Sequence, residues 1–470
     1  MDFFSLFSSL EGSMLVLFIF CIATVLIFEF INGFHDTANA VATVIYTKSL
    51  KPQHAVMLSG FLNFLGMALS VYLFGMKVAV KMVQLLPMDK IANISTNENI
   101  ALILAVLIGA IIWNFGTWYF GIPCSSSHTM VGSLLGAMIG YFIMHGGTIK
   151  DIMNSKPYEK GLEVLTWMLI SPVFGFFIAI VLVFILRRMY KKKALFKEVE
   201  EGKVPPKGIR ALLIGTCSMV SFFHGSNDGQ KGLGLLMIIL MTFFPLQYTL
   251  KHNFASEESM THLSSIQNVL TPKNLDEQYD GVLKLVKDVK EDIVMRNDTT
   301  KKGIFTIRKR LQSIQKDLDH IVKEDEALTK EEKSALKKEE KYLKSYTDGN
   351  PGTIPLMLIA IAIGIGTVVG WKRIVITIGE KIGKTHLSYG QGAVSEVVAA
   401  STIGLSSYFG LPVSTTHVLT SGVAGSMVAT GGVKNLQKGT MKNIALAWVL
   451  TLPVTMILSF GLYLLFRVFA

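Results

Sequence analysis

Gly121-Ile-Pro-Cys-Ser-Ser-Ser-His128 and Gly410-Leu-Pro-Val-Ser-Thr-Thr-His417 decide how this chain is read. Each carries Gly-x-Pro, a cluster of hydroxyls and a histidine, followed by an apolar run containing glycine. Over 121–140 against 410–429 the Gly, Pro, Ser, His, Gly and Met recur in register. A second pair lies upstream. Asn32-Gly-Phe-His-Asp-Thr-Ala-Asn-Ala-Val-Ala42 is matched more loosely by His224-Gly-Ser-Asn-Asp-Gly-Gln-Lys-Gly-Leu-Gly234. Asp36 stands 92 residues before His128, and Asp228 stands 189 before His417. Removing the charged segment 251–352 from the second interval brings the two spacings within five residues. The chain therefore reads as one ancestral unit copied, with a later insertion.

The surroundings of these motifs are apolar. Half of the 470 residues are hydrophobic and 17% are charged, against about 25% in ordinary globular proteins. Segment 251–352 holds 19 Lys/Arg and 19 Asp/Glu, so the net charge of +11 lies wholly in the remainder. There the basic residues sit in short loops beside apolar runs, which is the pattern of a cytoplasmic membrane face and not of a nucleic-acid surface. Cys21, Cys124 and Cys217 all lie in apolar stretches without CxxC spacing, which argues against a disulfide framework or structural zinc. No cofactor is implied.

Spans of about 20 apolar residues fall near 13–34, 54–76, 99–120, 124–145, 162–186, 211–250, 353–371, 389–409, 413–430 and 443–466. The first lacks a preceding Lys or Arg and is too long for a signal peptide, so it reads as a retained span. Polar stretches at Asn32–Asn39 and His224–Lys231 interrupt two of the runs at corresponding places. The expected fold is an all-α, multi-pass integral membrane protein of about 10–12 segments in two inverted repeats with broken or half helices. Residues 1–186 would form the first repeat and 187–210 a basic cytoplasmic linker. Residues 211–250 would start the second repeat and 353–470 complete it, around a charged, helical, coiled-coil-like soluble insertion at 251–352. Nine Lys/Arg against three Glu in 187–210 place that loop in the cytoplasm, and five crossings before it put the N-terminus outside. In the insertion, Ile304, Ile307, Leu311, Ile314, Leu318 and Ile321 form a coiled-coil seam, expected as a solvated helical hairpin.

Opposed repeats with polar interruptions mark secondary transporters, whose sites form near the midplane where the repeats meet. Proline suits a first helical turn and Ser or Thr an N-cap. Two facing helix starts would offer Ser125, Ser126, Ser127, Ser414, Thr415 and Thr416, with free N–H groups and positive dipole ends, to a tetrahedral oxyanion. The alternative is that these hydroxyls only cap and pack helices. The motifs contain no arginine, as suits a carrier that must release its anion. Asp36 and Asp228 are carboxylates inside apolar runs, where a functional role is the default; they would hold a coupling cation or a proton, helped by Asn39 and Asn227. Either Asp could instead cap a helix, and either Asn could pack one. His35, His128, His224 and His417 could relay protons, touch the anion or serve as structural hydrogen-bonding groups. Glu29 is a further proton site. Lys231 would neutralise Asp228, touch the anion or snorkel to an interface. Trp113, Trp118, Tyr119, Trp371 and Trp448 read as interface anchors.

These motifs resemble the inorganic phosphate transporter (PiT) family across essentially the whole membrane portion. Gly33–Tyr46, Asn227–Gly232, Trp113–Gly121 and Ile378–Gly383 look particularly like its bacterial low-affinity branch. The resemblance implies phosphate symport, an inverted-repeat fold and a homodimer in the cytoplasmic membrane. It also implies proton coupling, and carriage of phosphate as a neutral complex with Mg2+ or another divalent metal. Other family members use Na+, and where many relatives have Gly-Ala-Asn-Asp this chain has Gly33-Phe-His-Asp36, which removes a potential sodium ligand. The reading is thus a non-enzymatic phosphate importer. Sodium coupling, or transport of another oxyanion such as sulfate, is the alternative. A serine hydrolase built on Ser125 or Ser414 with its histidine three residues on is disfavoured because no Gly-x-Ser-x-Gly elbow is present. A structural or receptor role for the insertion stays open.

Overall fold

The computed structural model describes the chain apart from residues 1–2, 92–93, 190–192, 197–203, 250–255, 274–276, 295–300, 326–327, 348–350, 373–374 and 376–381, and apart from a few side chains, among them those of Asn39 and Ile304. Much of the 187–210 linker and most of Ile378–Gly383 lie outside the described residues.

The described chain is helical. The main helices are α1 (Gly12–Tyr46), α2 (Pro52–Phe74), α3 (Lys77–Val83), α4 (Thr96–Tyr119), α5 (Ser126–Met144), α6 (Lys156–Met189) and α7 (Lys207–Phe243). After them come α8 (Ser256–Leu270), α9 (Glu277–Val294), α10 (Lys301–Glu324), α11 (Lys330–Thr347), α12 (Thr353–Val369), α13 (Tyr389–Phe409), α14 (Thr415–Gly431) and α15 (Lys438–Arg467). Among the described residues, α1, α2, α4, α5, α6 and α15 are long and apolar enough to cross a membrane, and α12 is a shorter apolar helix. The two polar stretches do not break their helices. Both α1 and α7 run through them, over 35 and 37 residues, because these side chains find buried partners and leave the backbone ladder intact. The half helices are instead α5 and α14. Gly121 and Gly410 take φ of +66° and +69°, a left-handed turn that glycine adopts without strain, and the chain then runs extended to the caps Ser125 and Ser414. Pro123 and Pro412 thus lie ahead of these helices, where a fixed φ suits extended chain, and not in the first turn as expected.

Two compact units are present: Met1–Pro87, Ile100–Leu236 and Gly352–Ala470 form one, and Met88–Asn99 with Met237–Pro351 the other. In the first, close packing rests on small residues, as between membrane helices generally. Gly132, Gly136 and Gly140 line the face of α5 against α15, where a Cβ would strike Thr455, the Met456 backbone and Tyr463. Gly425 of α14 lies on the Phe176 backbone of α6. Gly366 of α12 meets Phe30 of α1, and Gly225 of α7 meets Asn63 of α2. If α1 corresponds to α7, α2 to α12, α5 to α14 and α6 to α15, each of these contacts maps onto another when the halves are exchanged.

In the second unit α8 to α11 pack as four helices. Ile307, Leu311, Ile314, Leu318 and Ile321 of α10 share one core with Leu263 and Ile266 of α8, Val282, Val286 and Val289 of α9, and Leu336 and Leu343 of α11. The seam is therefore the inner stripe of a four-helix core and not of a hairpin. The sequence could not give this count, because one apolar stripe fixes a buried face and says nothing of how many helices cover it.

Candidate functional site

The polar segments of α1 and α7 meet the starts of α5 and α14. Asp36 and Asp228 are 1% and 0% exposed. Asp36 accepts from both hydroxyl motifs at once: Ser126 Oγ donates to Oδ2 at 2.8 Å and Thr416 Oγ1 to Oδ1 at 2.5 Å. Asp228 accepts from Thr415 Oγ1 at 3.3 Å and pairs with Lys231 Nζ at 2.5 Å. Lys231 is buried and does not snorkel; its ammonium also donates to Ser127 Oγ and, at 2.9 Å, to Val413 O. Ser127 in turn donates to Val413 O. So although the motifs hold no arginine, a fixed cation three residues after Asp228 on α7 reaches them.

The remaining two hydroxyls are caps. Ser125 Oγ accepts from His128 N–H and Ser414 Oγ from His417 N–H, each satisfying a donor orphaned at a helix start. All six expected hydroxyls are therefore gathered, four in the Asp–Lys network and two holding the helix starts. The histidines divide likewise. His224 Nε2 lies 3.6 Å from Asp36 Oδ2 and 3.3 Å from Asp228 Oδ2, while its Nδ1 is 2.8 Å from Asn63 Oδ1. His35 Nδ1 is 3.5 Å from Asp36, with Nε2 against Thr117 Oγ1. His128 and His417, one from each motif, face each other with ring centroids 4.4 Å apart. Trp448 stacks on His417 at 3.9 Å, beside the site, a contact that a position near a span end could not reveal.

Asn227 uses its amide nitrogen to brace Ser407 Oγ and Leu411 O, ahead of Pro412, and its Oδ1 has no partner among the described residues. The Asn39 side chain lies outside the described residues. Glu29 is buried on α1, takes a 3.3 Å bond from Asn32, and lies where a Cβ on Gly232 would collide with it. One carboxylate escaped the sequence reading. Glu396 of α13 is fully buried and accepts from Thr43 of α1 and Thr216 of α7. Its signal, a lone carboxylate inside an apolar span, is the same one that marked Asp36.

Asp36, His224 and Asp228 offer ligand atoms all within 4.8 Å of one another, a donor set able to hold a metal ion. Carboxylates from within α1 and α7 and hydroxyls from two helix starts thus converge with one ammonium in a buried centre.

The profile of the phosphate transporter family matches residues 32–459. The chain belongs to that family. The low-affinity inorganic phosphate transporter PitA of Escherichia coli (strain K12) is 37% identical to it, over 97% of this chain and 98% of that protein. The probable low-affinity inorganic phosphate transporter of Bacillus subtilis (strain 168) is 28% identical over 94% and 95%. A solved structure described as the sodium-dependent phosphate transporter covers 97% of this chain and 100% of its own at a TM-score of 0.54 and 21% identity, a likeness of fold. Inorganic phosphate is the substrate of this family, whose members are multi-pass membrane proteins and not enzymes. The 2.9 Å contact of His128 Nδ1 with Ser125 Oγ is accordingly part of a helix cap in a phosphate transporter family member and not a nucleophile–base pair.

Proposed function

We propose that this chain imports inorganic phosphate by cation-coupled symport through alternating access, with protons as the coupling ion. The observation that carries the reading is the sharing of Asp36 between Ser126 and Thr416, one hydroxyl from each motif. A carboxylate that takes up a proton or a metal cation loses acceptor capacity. The hydroxyls it held can then turn, with the backbone donors of two helix starts, towards phosphate. Cation and anion binding are thereby linked, and each raises affinity for the other. A site loaded with both carries little net charge through a low-dielectric barrier.

His224 between two carboxylates favours protons over sodium, since imidazole suits a proton or a divalent metal better than a hard monovalent ion. Magnesium or another divalent ion would travel as cargo with phosphate. The exchanged glycine contacts support two inverted repeats that rock around the shared centre, and the basic loops support an extracytoplasmic N-terminus. A homodimer in the inner membrane rests on family analogy.

Radiolabelled phosphate uptake into proteoliposomes tests this, with an imposed pH or sodium gradient and with or without magnesium. Uptake driven by the pH gradient, lost in Asp228→Asn although the protein still inserts, is expected. A requirement for sodium would overturn the coupling ion, and no uptake under either gradient would move the substrate to sulfate. Near-native uptake by Asp228→Asn would sink the site.

A further inference from the structure

A second basic concavity lies away from the Asp–Lys centre. Arg187 at the end of α6, Lys384 and His386 before α13, and Lys434 after α14 line a cavity of about 440 Å³, within the usual 300–1,000 Å³ of small-molecule sites. Buried Ser388 and Gln391 and half-buried Thr430 also line it and are already hydrogen-bonded. Gln391 Nε2 donates to Thr430 Oγ1 at 2.6 Å, and the Ser388 N–H donates to Gln391 Oε1 at 2.7 Å. Arg187 is oriented over the Phe196 ring at 5.3 Å and by a bond to Ala429 O. Among the described residues no carboxylate lines the cavity or pairs with these cations. The positive-inside rule accounts for the sign of the charge in these loops. It does not account for basic side chains from three separate elements converging on one hollow, where like charges repel.

We propose that this cavity binds a phosphoryl group, supplied by an anionic lipid headgroup or by a soluble phosphate compound. Arg supplies a planar fork matched to phosphoryl oxygens and Lys supplies point charges. Basic pockets between helix ends on the cytoplasmic side are where anionic headgroups collect. The site is distinct from the substrate centre. Its lining residue Thr430 stands near the C-terminus of α14, and Thr415 and Thr416 stand at the start of this helix, about 21–22 Å away at 1.5 Å per residue.

The test compares the full-length protein in neutral detergent with Lys384→Gln/Lys434→Gln. Each is titrated separately with dioctanoyl phosphatidylglycerol and with inorganic pyrophosphate, and dioctanoyl phosphatidylcholine is the uncharged control. At least a tenfold rise in the dissociation constant of one anionic probe in the double variant is expected, and the probe affected names the source. Lys434→Gln alone, at an exposed position, should move the same constant in the same direction by less. Equal affinities in native and variant proteins for both probes, or no binding of either to the native protein, would overturn the proposal. Binding is read without transport, so failure here leaves the transport reading standing, and retained uptake by the double variant shows that it folds.

Discussion

Lys231→Met, Asp228→Asn and the double variant close a cycle around the ion pair at the centre of the site. The ammonium lies 2.5 Å from Oδ1, and neither side chain is more than 3% exposed. With an effective dielectric constant near 20, opposite charges at that separation attract by about 6–7 kcal/mol. Desolvation cancels most of this, and breaking one side of a buried pair costs about 3–5 kcal/mol. His224, 3.3 Å from Asp228, remains as a partner, so Lys231→Met should fall at the low end, about 3 kcal/mol. Asp228→Asn strands Lys231 with only Ser127 and Val413 O. The double variant leaves no orphan charge and should lose less than the sum, with a coupling energy of about 1.5 kcal/mol or more. Reversible unfolding in mixed micelles measures all three. A Lys231→Met protein within about 0.5 kcal/mol of the native one, the usual scatter for sites that do not couple, together with strict additivity, would refute the pairing and with it the account of the buried charge.

Ser126→Ala and Thr416→Ala each remove one donor to Asp36 and one proposed phosphate contact; a bond to a charged group contributes about 1.5–3 kcal/mol, so the KM for phosphate should rise about tenfold or more, as proteoliposome uptake would measure. Glu396→Ala leaves the Thr43 hydroxyl without its buried acceptor, while Thr216 keeps Leu213 O, and should destabilise by about 1–3 kcal/mol, seen as a lowered unfolding midpoint. Gly136→Val drives a side chain into the Met456 backbone and should cost about 1–3 kcal/mol. Gly116→Ala, with nothing within 4 Å of its new Cβ, should stabilise α4 by about 0.5–1 kcal/mol; a stability assay in detergent that ranks the two alike would contradict the packing.

The duplicated motifs indicate which side chains gather, because repetition in register is a constraint that neither hydropathy nor local propensity imposes. Ser126, Thr415 and Thr416 do converge with Asp36 and Asp228. Their donor and acceptor roles were not legible. A carboxylate from α1 accepts from hydroxyls at the starts of α5 and α14, and only three-dimensional proximity shows that bonding. The continuity of α1 and α7 is not legible for a related reason: polar residues in an apolar run look like breaks until their buried partners are known. Glu396 is hard to single out in the sequence because it lies outside the duplicated motifs. Trp448 lay beyond reach, since stacking on His417 depends on how α15 crosses α14.

The exchanged glycine contacts bear on how the polypeptide could be divided. The glycine-backed pairs α5–α15, α6–α14, α1–α12 and α2–α7 each join a helix before 197–203 to one after it, so much of the surface that covers each part's small residues belongs to the other. Two separately translated fragments, cut within 197–203, would each present bare glycine faces and bind each other in preference to folding alone. The gene would then behave as two interlocking genes joined by a tether that sets local concentration more than architecture. Such a pair should reassemble into one carrier when coexpressed, while either fragment by itself goes to degradation.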